Sequence, residues 1–99
     1  MKHKIVTLCG SRRFALHMQE IAELLELERG WIVLSPIPHA LPRPLTEEEA
    51  ARLGEIHLAR IDLSDAIYVV NEDGYIGEAV QKEIAYARAK GKEILYLEA

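Results

Sequence analysis

The sequence predicts an α/β fold, a three-layer sandwich in which helices cover both faces of a small parallel sheet. Two observations carry this prediction. Short apolar, β-branched runs alternate with longer stretches of helical periodicity in a βαβαβαβ pattern, and glycines mark the ends of the first and third helical stretches. Because strand–helix–strand crossovers are right-handed, we predict the strand order 2-1-3-4, a trimmed Rossmann- or flavodoxin-like sheet. Helix 1 then lies on one face and helices 2 and 3 on the other.

The first half of the chain forms one strand–helix–strand unit. Residues 4–9 are the first strand, and Gly10-Ser11 is the turn that follows it. The first helix covers about residues 13–29, with an apolar stripe at helical spacing and Gly30 just beyond its end. Residues 31–34 are the second strand.

A proline-rich segment separates this unit from the second helix. Residues 35–44 contain all four prolines and form either an ordered rim or a mobile flap. Thr46 and Glu49 have the spacing of a capping box and start helix 2. That helix ends near residues 60–63, with Leu53, Ile56 and Ile61 on its apolar side.

The last third of the chain carries a strand, a polar loop and a helix in close succession. Residues 65–70 are β-branched and aromatic, and residues 71–77 break the run with turn-forming residues. Helix 3 begins near residue 77 and ends before Gly91, and residues 93–97 form strand 4.

Composition narrows the function classes. The 99 residues suit one domain, and a net charge of −4 argues against general nucleic-acid binding. No apolar run reaches the roughly 18 residues that a membrane helix needs. Residues 1–4 do not resemble a signal peptide, and Cys9 is the single cysteine, so we expect a cytoplasmic protein without internal disulfides.

The order 2-1-3-4 places a topological switch point between strands 1 and 3, where α/β proteins bind ligands. The first loop there is Gly10-Ser11-Arg12. Its backbone N–H groups, hydroxyl and guanidinium suit an anion such as phosphate. The alternative is that Ser11 caps the helix and the arginine is solvated.

The second loop is polar and acidic, with Asn71, Asp73 and Glu78. It is either part of the site or a solvated surface. Glu83 lies beside the Val80–Ile84–Ala87 stripe, so its carboxylate either faces a cleft as nucleophile or base, or forms an ion pair.

The cysteine and histidines predict no metal site. Cys9 fits a small buried residue better than a nucleophile. His57 fits a core or boundary histidine better than a ligand, and the other histidines lack metal-ligand spacing. We therefore expect no metal and no cofactor.

Three segments together resemble the nucleoside 2-deoxyribosyltransferase family and the related 2′-deoxynucleoside 5′-phosphate N-glycosidases. They are Cys9-Gly10-Ser11-Arg12-Arg13, Glu83-Ile84-Ala85-Tyr86-Ala87 and Gly91-Lys92-Glu93-Ile94. The resemblance covers nearly the whole chain in layout, as one domain over residues 1–99. Its motifs are short.

The resemblance implies cleavage or exchange of a nucleobase through a carboxylate nucleophile. Glu83 would attack the anomeric carbon, Asp73 (or Asn71 in its place) would assist the departing base, and the Gly10-Ser11-Arg12 loop would bind a 5′-phosphate. In the family a glycine lies about four residues before the glutamate, whereas Gly77 lies six before Glu83. Glu78 is therefore the alternative carboxylate facing the cleft.

Two other functions remain open at this point. One is a non-catalytic module of the same fold that binds a nucleotide through the first loop, with Glu83 structural. The other is a small interaction protein with a vestigial cleft. For all three functions we expect that the protein binds neither nucleic acid nor a membrane.

We also expect a homodimer. Strands 3 and 4 are apolar on both faces, as in sheets covered on both sides. In strand 3, Ile67 and Val69 alternate with Tyr68 and Val70, and in strand 4, Ile94 and Tyr96 alternate with Leu95 and Leu97. No helix follows strand 4, so on the helix 1 side these two strands would need a partner copy to cover them.

Overall fold

The structure, a computed structural model, describes residues 3–99. Met1 and Lys2, on which part of the signal-peptide prediction rests, lie outside the described residues. Two short 3-10 turns occupy Arg12–Phe14 and Glu72–Gly74. The strands and helices are β1 (Ile5–Gly10), α1 (Ala15–Arg29), β2 (Ile32–Leu34), α2 (Glu47–Leu63), β3 (Ala66–Val70), α3 (Glu78–Ala89) and β4 (Glu93–Tyr96).

The four strands form one parallel sheet in the order β2-β1-β3-β4, which confirms the predicted topology. Thr7 of β1 pairs with Ile67 of β3, and Ile67 pairs with Ile94 of β4. The last pair between the central strands joins Gly10 to Val70. Both central strands therefore end at the same level, and the loops that follow them start side by side.

The two faces of the sheet have separate cores, which confirms the predicted layers. Side chains of α2 and α3 pack on one face, in a buried cluster of Cys9, Ile61, Ile67, Val69, Val80, Ile84 and Ala87. Side chains of α1 and its preceding turn pack on the other, in a cluster of Leu8, Phe14, Met18, Ile21, Leu25 and Val70.

Helix 1 starts differently from the prediction. A single helix over residues 13–29 was expected, but Arg12–Phe14 is a 3-10 turn and α1 follows it. Ser11 adopts an extended backbone, and its hydroxyl accepts a hydrogen bond from the Arg13 N–H at 3.4 Å. Phe14 (φ −102°, ψ 14°) is not helical. The tight turn lets the Phe14 ring enter the core, where it is buried.

The apolar side of α2 is only partly buried. Ile61 is fully buried as predicted, but Leu53 and Ile56 are 45% and 42% exposed. The helix has 17 residues, and its buried residues, His57 and Ile61, both belong to its second half. Its first half therefore extends beyond the core, and Leu53 lines a cleft instead.

The patch expected to need a partner copy is largely covered within the chain. Val70 is buried, and Tyr68, Leu95 and Leu97 are half-buried. Tyr68 and Leu97 pack against the buried cluster that α1 forms on this face. The homodimer stays a prediction.

Within residues 3–99, no helix has the length and apolar character to cross a membrane.

The start of α2 has the predicted capping box. The Glu49 N–H donates to the Thr46 hydroxyl at 3.1 Å, and the Thr46 N–H donates to Glu49 Oε1 at 3.0 Å. The Arg43 guanidinium binds both Glu49 carboxylate oxygens, at 2.8 and 3.0 Å. These contacts, the Arg43 hydrogen bond foremost, lower the pKa of Glu49 to about 2. The ionised carboxylate thus ties the proline-rich segment to α2.

This carboxylate makes the stability of the α2 start depend on pH. A carboxyl group whose pKa is lower in the folded state stabilises that state above its unfolded pKa, and the contribution disappears as pH falls through the folded pKa. We expect Glu49→Gln to lower the melting temperature at pH 7. The difference from the wild type should shrink between pH 4.5 and about 2. Thermal unfolding of both proteins across that range checks this. An unchanged difference at pH 2 would contradict the assignment.

Candidate functional site

A cleft of about 1000 Å³ opens at the carboxyl ends of β1 and β3, where the topological switch point lies. One wall consists of the turn after β1 and the first turns of α1. The opposite wall consists of the start of α3. A third side of the cleft is formed by the proline-rich segment at residues 35–39 and by the exposed first half of α2. The prediction that the loops after strands 1 and 3 meet at this edge is therefore confirmed.

The first loop lines the cleft with Gly10, Ser11 and Arg12. A Cβ at Gly10 would lie 3.0 Å from Met18 Sδ and 3.1 Å from Val70 Cβ. The absence of a side chain there therefore lets α1 sit close to the sheet. Arg12 is exposed at the cleft, so its guanidinium is accessible to a ligand.

An aromatic contact joins the two loops. The Arg13 guanidinium lies over the Tyr75 ring, 4.0 Å from its centroid. The Phe14 and Tyr75 rings meet edge to face, with centroids 6.0 Å apart. Tyr75 also lines the cleft. The first arginine of the Arg12-Arg13 pair thus faces the cleft, and the second fixes the loop.

Glu83 belongs to a cluster of three side chains at the cleft. Glu83 Oε1 lies 3.2 Å from His57 Nε2, and Cys9 Sγ lies 3.6 Å from the same nitrogen. Cys9 is fully buried, His57 is 8% exposed, and the Glu83 side chain is 21% exposed. His57 and Glu83 both line the cleft. The helical wheel placed Glu83 at the boundary of the buried stripe, and the structure agrees.

The protonation of the cluster follows from these contacts. Burial raises the pKa of the Cys9 thiol, and the charge of Glu83 and a hydrogen bond to it raise that pKa further. The thiol therefore keeps its proton. His57 Nδ1 is buried and has no hydrogen-bond partner within residues 3–99. Nε2 is the ring nitrogen within hydrogen-bond distance of Glu83 Oε1, so it is the one that donates to the carboxylate.

The other predicted site residues divide into two groups. Gly77 and Glu78 line the cleft; Glu78 is exposed, and its Oε1 lies 3.8 Å from Lys82 Nζ. Asn71 and Asp73 are not among the lining residues. Asn71 exchanges two hydrogen bonds with the Glu98 backbone, at 2.8 and 2.9 Å, and the Asp73 N–H donates to the Glu98 carboxylate. Both hold the chain end against the loop.

The structure adds residues that the sequence did not place in the site. His57 was treated as a core or boundary histidine, and it is buried as expected, yet it also contacts Glu83 at the cleft. Ile37, Leu45 and Leu53 supply an apolar wall. The spacing of Leu53, His57 and Ile61 on one stripe of α2 was the available signal. That spacing does not show that only the second half of the stripe is buried and that its first half lies outside the core.

No protein-family model matches this chain, and no curated protein matches it significantly.

Proposed function

We propose that this protein cleaves or exchanges the nucleobase of a nucleoside or nucleotide, as an N-glycosidase or deoxyribosyltransferase with Glu83 as nucleophile. One observation carries the proposal. A largely buried carboxylate, Glu83, opens onto the same cleft as the Gly10-Ser11-Arg12 loop. A reactive carboxylate and an anion loop in one cavity are the parts that this chemistry needs.

The first loop suits the phosphate of a nucleoside 5′-monophosphate. Arg12 offers a planar pair of donors that matches phosphate oxygens. The Ser11 hydroxyl lines the cleft beside it. The Arg13 and Phe14 N–H groups already donate to Ser11, so the proposed donors to a phosphate are the Arg12 guanidinium and the Ser11 hydroxyl.

The apolar wall suits a planar base. Ile37 and Leu53 are exposed apolar side chains on the cleft, and Leu45 and Met18 line it with them. Stacking a base there would bury apolar surface that the free protein leaves in contact with water.

The reaction balances as a displacement at the anomeric carbon. A Glu83 oxygen forms a bond to C1′, the C1′–N bond breaks, and the base leaves with the electron pair and takes up a proton. Water or a second base then attacks C1′ and releases the carboxylate. Glu78 is another carboxyl group on the cleft, five residues before Glu83 and thus about 7.5 Å away along the helix axis. Unlike Asp73 it lines the cleft, where it can pass a proton from water to the departing base.

The contacts of Glu83 favour a second candidate, a nucleotide-binding module without catalysis. The Glu83 carboxylate lies 3.2 Å from His57 Nε2, and the Cys9 thiol lies 3.6 Å from the same nitrogen. A carboxylate in such a contact can be a structural acceptor that completes the hydrogen bonding of a buried histidine. In that case the first loop would bind the nucleotide and Glu83 would react with nothing.

One experiment separates the two functions. The protein is incubated with a panel of ribo- and deoxyribonucleosides and their 5′-monophosphates, and free base is measured by chromatography. Calorimetry measures binding of the same compounds. We expect release of base from at least one compound. Binding without release would support the non-catalytic module, and neither binding nor release would exclude both.

Arg12→Ala tests the anion loop. Removing the guanidinium should weaken binding of a nucleoside 5′-monophosphate by about 1.5–3 kcal/mol, the range for a hydrogen bond to a charged group. Binding of the matching nucleoside should hardly change. Arg52→Ala is the matched control, because Arg52 is exposed on α2 and does not line the cleft. Equal nucleotide affinities of wild type and Arg12→Ala in calorimetry would remove Arg12 from the site.

A further inference from the structure

We propose that Cys9, His57 and Glu83 form a binding site for a thiophilic divalent cation such as Zn²⁺. The proposal goes beyond the glycosidase function, which needs no metal. The three residues come from β1, α2 and α3, so the site exists only in the folded chain. Within residues 3–99, these three side chains form the group of His, Cys, Asp or Glu residues whose ligand atoms lie close enough together to bind one metal ion.

The spacing of the donor atoms fits a tetrahedral ion. Zinc binds Cys sulfur at about 2.3 Å, His nitrogen at about 2.0 Å and carboxylate oxygen at about 2.1 Å, so its donors lie roughly 3.3–3.6 Å apart. Sγ of Cys9 and Nε2 of His57 are 3.6 Å apart, and Nε2 and Glu83 Oε1 are 3.2 Å apart. All three donor atoms lie within 4.8 Å of one another. Only small side-chain shifts would be needed.

The charge and chemistry of the donors also fit. A thiolate and a carboxylate together neutralise a dication, which matters because Cys9 and His57 are buried. One sulfur, one imidazole nitrogen and one carboxylate oxygen are ligands that zinc accepts. Because His57 and Glu83 line the cleft, the ion has a route in, and its fourth position can face the cleft.

Binding has a definite proton balance. The metal–sulfur bond forms as the Cys9 S–H bond breaks, and that proton leaves to solvent. The ring proton of His57 moves from Nε2 to Nδ1, where it is a buried N–H without an acceptor within residues 3–99, so the metal–nitrogen bond has to outweigh that cost. The Nε2 lone pair then binds the metal. No oxidant or reductant is involved.

The metal and the proposed reaction compete for one carboxylate. A Glu83 oxygen bound to the cation cannot attack an anomeric carbon. The ion would therefore act as a reversible inhibitor of base release rather than as a catalyst.

Titration of the metal-free protein with Co²⁺ tests the site without any substrate. Cobalt takes the tetrahedral position of zinc and shows a sulfur-to-cobalt charge-transfer band when a thiolate binds it. We expect this band to saturate at one Co²⁺ per chain and to be displaced by Zn²⁺. Cys9→Ser should lose the band, and His57→Gln and Glu83→Gln should each weaken binding at least tenfold. His39→Gln is the control, because His39 lines the same cleft outside the cluster and should bind as the wild type does.

Three results would overturn the proposal. They are a folded wild type that gives no thiolate band, Cys9→Ser that keeps the wild-type affinity, and loss of binding in His39→Gln but not in His57→Gln. Circular dichroism of each variant shows whether it is folded. None of these measurements depends on base release. A cobalt band with no base release therefore leaves the metal site standing and counts against the glycosidase, and base release with no band does the reverse.

Discussion

Glu83→Gln should reduce base release by about 10³-fold or more, as removal of a covalent nucleophile does. The amide keeps the shape of the side chain but is far too weak a nucleophile to attack the anomeric carbon. Glutamine can still accept the hydrogen bond from His57, so the variant should fold. Release of base by the purified variant, with circular dichroism to show its fold, checks this.

Glu78→Gln is the matched control. Its carboxyl group lies on the same helix and the same cleft, yet it is exposed and not part of the buried cluster. We expect a smaller loss than in Glu83→Gln, because its proposed part is to pass a proton to the base, which water can also do. Full loss in Glu78→Gln with activity retained in Glu83→Gln would move the nucleophile to Glu78.

Ile67→Ala should cost about 2–5 kcal/mol of the free energy of unfolding, the range for truncating a buried isoleucine. Ile67 is fully buried at the centre of β3, between the register partners Thr7 and Ile94. A domain of this size has about 5–15 kcal/mol in total, so the variant should be marginally folded. Urea unfolding followed by circular dichroism measures the loss.

Ile32→Ala is the control for that truncation. Ile32 is also a strand isoleucine, but it lies on the edge strand β2 and is 44% exposed. Its truncation removes less buried surface and leaves no enclosed cavity, so the cost should be well below that of Ile67→Ala. Equal costs for the two variants would contradict the assignment of Ile67 to the centre of the core.

The fold was predictable because the apolar periodicity, the turn residues and the helix-capping residues all indicate the same helices and strands. The apolar runs, the glycines after helices 1 and 3 and the Thr46–Glu49 capping box all mark boundaries that the structure keeps to within a few residues. The error at Arg12–Phe14 has a local cause. Helical periodicity does not distinguish a 3-10 turn from the first turn of an α-helix. In the structure, the 3-10 turn accompanies the burial of Phe14.

The site was less predictable because its members come from distant parts of the chain. Gly10 and Arg12 could be placed at the switch point from topology, whereas Glu83 was predicted from its position beside the buried stripe of helix 3 and from the family resemblance. The approach of His57 to Cys9 and Glu83 joins three separate elements, and its spacing on α2 gives only the face it occupies. The case of Asn71 and Asp73 is similar. Their polar side chains suggested a ligand, but the Asn71 side chain and the Asp73 backbone N–H both bind Glu98.

The central claim is a covalent bond between Glu83 and the sugar, and mass spectrometry tests it directly. The protein is mixed with a base-releasing nucleotide, quenched in acid within the first turnover and digested. The account predicts a peptide that contains Glu83 and carries the added mass of one sugar phosphate, absent in Glu83→Gln. Rapid release of base with no adduct, or with the adduct on Glu78, would contradict it.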